Sequence, residues 1–146
     1  MAAYVQKPGI SYVPAYQVSA IPYATASFLV PALGDAPKCV NFPLVTKFIT
    51  IVNSGSEGPI RIGFSSLGVT GSENSANGVA GMNYYFTLDN GDSYTGEWRI
   101  ENIYLLSNSR VAMSASIIAG LVGISTGSTP GFTAGTLNWS GSTGVG

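Results

Sequence analysis

From Cys39 onward, apolar residues recur in short runs that change face at every residue, the period of a β-strand. The run from Phe42 to Val52, FPLVTKFITIV, is rich in β-branched and aromatic residues and predicts a strand, closed by the loop Asn53 to Pro59. Ile60, Ile62 and Phe64 then alternate with Arg61, Gly63 and Ser65, which predicts a half-buried strand. Leu67 to Gly81 is a long connection rich in Gly, Ser and Asn. Tyr84, Phe86 and Leu88 form the inward set of the next strand, and Asp89-Asn90-Gly91-Asp92 has the composition of a tight hairpin turn. Ser93 to Ile100 places Tyr94, Gly96, Trp98 and Ile100 on one face and Ser93, Thr95, Glu97 and Arg99 on the other. Asn102 to Leu106 and Val111 to Ile118 predict two further strands. After Ser125 the chain is rich in Gly, Ser and Thr, with Phe132, Leu137 and Trp139 as isolated apolar anchors.

No ten-residue stretch carries a 3.6-residue apolar period free of Gly, Pro or β-branched runs, so helix is excluded as a main element. Residues 1–37 differ from the rest: Pro8, Pro14, Pro22, Pro31 and Pro37 interrupt them, with Tyr4, Tyr12, Tyr16 and Tyr23 between. Such spacing predicts an extended N-terminal arm with one edge strand near Ala24–Val30. Residues 38–146 then form one all-β domain, an antiparallel two-sheet β-sandwich. Eight strands result if Ala24–Val30 and Thr133–Trp139 supply edges. The Cys…Trp…Cys pattern of an immunoglobulin domain is missing, so an eight-stranded single jelly roll is the expected topology. Its expected core is Ile49, Ile51, Ile62, Phe64, Tyr84, Phe86, Trp98, Ile100, Ile103 and Leu105.

Composition adds a second constraint. Charged residues are 9% of the chain and hydrophobic ones 45%, against about 25% charged in ordinary globular domains. A chain so poor in charge is better suited to an assembly than to life as a free monomer. The six basic residues are scattered, so direct binding of nucleic acid is not expected. The lone Cys39 reads as a small apolar side chain, and no apolar run is long enough to span a bilayer as a helix. The start lacks a basic segment followed by an apolar one, so the chain reads as made without export.

Candidate chemistry is sparse. Histidine is absent, which removes Ser-His-Asp and Cys-His pairs and any imidazole metal ligand, and no phosphate-loop motif occurs. Glu97 and Glu101 on one strand would stand about 13 Å apart, too far for a glycosidase pair. With Arg99 between them they read as a surface ladder suited to a subunit contact. Asp89 and Asp92 are explained by turn chemistry, so no metal or other cofactor is expected. Tyr85 and Tyr104 fall opposite the apolar set and are candidates for a partner surface. Asn138-Trp139-Ser140 matches a glycosylation acceptor, which without a secretory signal is accidental.

The ordered run CVNFPLVTKFITIVNSG, IRIGFSSLGV, NYYFTLDNGDSYTGEWRIENIYLLS and ASIIAGLVGI, within residues 39–125, resembles the single-jelly-roll penton (vertex) proteins of icosahedral double-stranded DNA viruses of the double-jelly-roll lineage. The resemblance implies a non-enzymatic capsid structural protein located in the virion, a homopentamer sealing the capsid vertex. It further implies N-terminal arms that grip major and minor capsid proteins, here through Tyr4, Tyr12 and Tyr16. The chain has no added spike domain. A capsid decoration or cement protein and a carbohydrate-binding β-sandwich module are the alternative expectations.

Overall fold

A computed structural model of the chain describes residues 20–71 and 83–125. The described part is an all-β sandwich of two antiparallel four-stranded sheets. In chain order the elements are β1 (Ile21–Val30), β2 (Lys38–Asn41), β3 (Leu44–Asn53), β4 (Ile60–Gly63), α1 (Ser66–Thr70), β5 (Tyr85–Leu88), β6 (Ser93–Gly96), β7 (Asn102–Ser107) and β8 (Met113–Ser125). The first sheet has the order β1-β8-β3-β6 and the second β2-β7-β4-β5.

The registers expose a simple plan. Ile21 faces Leu121, Lys38 faces Leu105, Ile49 faces Gly96 and Ile60 faces Leu88. As one partner's number rises the other's falls by almost the same amount, which is the register of one long antiparallel hairpin. Its arms are β1 to β4 and β5 to β8, and its tip lies between Gly63 and Tyr85. The hairpin is rolled so that β8 also pairs with β3, and β7 with β4. The alternation of apolar residues then fills the space between the sheets: Ile49, Ile51, Ile60, Ile62, Ile103, Leu105 and Ile117 are fully buried there. Of the core expected from sequence, Phe64, Phe86 and Trp98 are partly buried against it, whereas Tyr84 precedes β5 and is 44% exposed.

The strand boundaries depart from the sequence pattern where the chain changes sheets. Pro43 divides the run that begins at Cys39 into β2 and β3, which belong to different sheets. Proline has no N–H to continue a ladder, so the corner falls there. The Asp89–Asp92 turn is present, with Asp92 N–H donating to Asp89 O and Gly91 at φ +76°. It is not a hairpin turn, because β5 pairs with β4 and β6 with β3. Asn53, fully buried, holds this end of the sandwich together. Its amide donates to the carbonyls of Gly58 and Leu88, and its Oδ1 accepts from Gly55 N–H.

β4 is buried on both faces rather than one. The cover is α1, which forms inside the stretch expected to be a loop. Ser65 caps it by accepting from Gly68 N–H at 2.9 Å, and Val69 lies over Gly63. Arg61, expected on the solvent side, is only 3% exposed. β1 lies along β8 as an edge strand of the first sheet, starting a little before the expected position and bulged between Thr25 and Phe28. The expected strand at Thr133–Trp139 lies outside the described residues, and the eighth strand is instead β2.

Candidate interaction surfaces

The segment 97–101 links the two sheets and decides the fate of the expected charge ladder. β6 stops at Gly96 because the Trp98 indole folds back against it; a Cβ at Gly96 would overlap the ring. The next residues run beside the start of β3. Thr46 N–H donates to Ile100 O at 2.9 Å, and its hydroxyl donates to Trp98 O at 2.6 Å. Phe42 N–H then donates to Glu101 O at 2.9 Å, which leads the chain into β7. Glu97 is therefore exposed, Arg99 half-buried, and Glu101 buried at 6% exposure. The three do not form a solvent-side ladder, because the strand that would align them ends before the first. Glu97 and Arg99 do share an open cleft of about 440 Å³ with Thr46, Lys47 and Trp98.

Tyr85 and Tyr104 are brought together. The registers align Cys39, Tyr104, Gly63 and Tyr85 as one row across the outer face of the second sheet. Both tyrosines are half-buried and engaged within the chain. The Arg61 guanidinium lies 4.5 Å from the centre of the Tyr85 ring. Burial pushes the Cys39 thiol up, with a hydrogen bond to Tyr104 opposing it, and burial likewise raises the Tyr104 phenol.

Two further surfaces were not foreseen as sites. At the β5/β6 side, Phe86, Tyr94, Trp98 and Phe64 form a chain of ring contacts. Phe86 and Tyr94 are 5.1 Å apart, Tyr94 stacks on Trp98 at 5.6 Å, and Phe64 meets Trp98 edge-on at 5.2 Å. Tyr94 faces inward yet is 44% exposed, because both sheets end there. On the opposite side, the β1 edge exposes Ile21 and Leu29, the latter to 64%. The sequence signal for that edge is a gap in charge: no Asp, Glu, Lys or Arg stands between Lys7 and Asp35.

Among the described residues, no group of three or more Cys, Asp or Glu side chains is placed to hold a metal ion. No helix of the described residues is long and apolar enough to cross a membrane. Tyr4, Tyr12 and Tyr16 lie outside the described residues. Neither a protein-family model nor a curated protein matches this sequence.

Proposed function

We propose that this chain is a non-enzymatic structural subunit of an icosahedral virion, a single jelly roll that assembles as a homopentamer at the capsid vertex. The observation that carries the reading is the strand order. β1-β8-β3-β6 over β2-β7-β4-β5, with the two halves of the chain paired as one rolled hairpin, is the arrangement by which two interleaved Greek keys make a jelly roll. The low charge supports an assembled state. The sugar-binding alternative needs an aromatic platform, with Trp98 on a flat polar face beside Tyr85. Trp98 instead packs among three other rings, and Tyr85 lies on the outer face of the second sheet.

The test is the position and symmetry of the chain in an intact particle, read by electron cryomicroscopy. Density for five copies around each vertex is the expected result. Copies placed between capsomers as trimers or monomers would make it a cement protein, and absence from the particle would overturn the structural reading altogether.

A further inference from the structure

We infer that copies of this chain associate head to tail, the β1 side of one copy covering the β5/β6 side of the next. The inference rests on the assembly reading above in requiring self-association, but not on the number five. A closed ring needs a heterologous interface, one patch meeting a different patch on the neighbour. The sandwich carries two such patches on opposite sides, since β1 and β2 end the sheets on one side and β5 and β6 on the other.

The two sides are unlike each other in complementary ways. Three of the four sheet edges are four-residue strands, whereas β1 has ten residues and no charge. Edge strands are ordinarily protected by charge, shortness or bulges; here only Pro22 and the bulge near Ser27 interrupt an edge that exposes Ile21 and Leu29. The opposite side presents flat aromatic surface at Tyr84 and Tyr94. Exposed charge is also unequal. Asp89, Asp92 and Glu97 are exposed on the β5–β6 connection and just beyond β6. The β1 side has Asp35 and Lys38, and the segment leading into β1 contributes only Lys7. That segment, residues 1–19, joins the fold at Ala20 on the same side. Extended, such a length reaches up to about 60 Å, so the first surface available to it is the neighbouring copy. The occupant of the aromatic side is therefore a second copy of this chain, presenting an uncharged extended edge.

Complementation between two variants of the full chain tests this. Leu29→Glu spoils the β1 side and Tyr84→Glu the β5/β6 side, while each leaves the other side intact. In native mass spectrometry, wild type is expected as a closed ring and each variant alone as a monomer. Their equimolar mixture is expected to give a dimer of one copy of each, because a single intact pair of sides remains. Misfolded variants would not recover association on mixing. Val111→Glu, an exposed apolar position in the β7–β8 connection, is expected to leave the ring unchanged. Rings that survive both substitutions, or a mixture that stays monomeric, would overturn the inference. A wild-type ring of another number would overturn only the pentamer. A wild-type chain that is monomeric at every concentration would overturn both.

Discussion

The outer face of the β2-β7-β4-β5 sheet is covered by α1, whereas that of the β1-β8-β3-β6 sheet has no helix over it. Under α1, Val69 packs over Gly63, while Arg61 and Leu106, partners in the β4–β7 register, are almost wholly buried. The Arg61 charge has no carboxylate partner there. Its Nη1 donates to the carbonyls of Val69 and Thr70, its Nε donates to Asn108 Oδ1, and its plane meets the Tyr85 ring. On the other sheet the outward set includes Phe48, Thr50 and Val52 of β3, Thr95 of β6, and Ser116 and Ile118 of β8. Thr50 and Thr95 share a hydroxyl hydrogen bond at 2.8 Å, Phe48 lies against Gly120, and Ile118 is exposed. One face thus spends a buried cation on fixing its own cover. The other is an uncharged surface with little to lose when altered. The difference teaches where stability and association are each stored.

The largest effect should follow from breaking the cover. Arg61→Met keeps much of the apolar stem but leaves two carbonyls and an amide oxygen without their donor. A loss of about 3 kcal/mol is expected in chemical denaturation, the range for unsatisfied buried polar groups. A loss under about 0.5 kcal/mol would mean that α1 holds without the arginine, and that the two faces differ less than their geometry indicates.

Gly63→Ala probes the same contact from below. A Cβ there would stand 2.5 Å from Val69 Cγ1 and 2.8 Å from the Tyr84 carbonyl oxygen. Since backbone must move, about 1–3 kcal/mol is expected, as for overpacked sites. On the other sheet, Gly123→Ala meets nothing within 4 Å and should be neutral or slightly stabilising. Equal effects at the two glycines, measured by thermal melts, would remove the contrast.

These two sites also mark how far the sequence could be read. Period-two alternation in FPLVTKFITIV and at Ile60 and Ile62 was enough to assign strands and most of the core, because inter-sheet packing follows the strand period directly. It misplaced Arg61 because the cover is a five-residue helix in a Gly/Ser-rich stretch, held by a Ser65 cap and tertiary contacts rather than by its own periodicity. It extended the strand through Glu97 to Ile100 because the alternation there is real, while the strand ends on a contact between Gly96 and Trp98 that no local pattern encodes. Tyr85 and Tyr104 were legible as outward residues. Their meeting on one row depends on the register of three strands, which alternation alone leaves open.

A small effect is expected at Ile118→Ser. The side chain is outward and about half exposed, so the free subunit should change by no more than about 0.5 kcal/mol. A large loss in the monomer would show that something in the same chain covers this face.

The smallest effect concerns pH on the row that joins Cys39 to Tyr104. Both groups are neutral acids whose ionised forms are disfavoured by burial, so their values in the folded chain lie above the ordinary ones. At neutral pH both folded and unfolded chains hold these protons, and the pair contributes no slope. As pH climbs past about 8.5 for the thiol and about 10 for the phenol, the unfolded chain ionises first. Folding then retains protons that unfolding releases, and stability falls until the raised folded values are passed. Melting temperature should therefore be flat from about pH 6 to 8 with respect to this pair and decline above that range. Cys39→Ala should remove the thiol's share of the decline while leaving that of Tyr104. The same burial predicts that iodoacetamide alkylates Cys39 at pH 8 more slowly in the folded chain than in urea, since the thiolate is the reacting form. Faster alkylation in the folded state would mean that the thiol is held ionised, and that this row of the covered sheet is open to solvent like the bare face opposite.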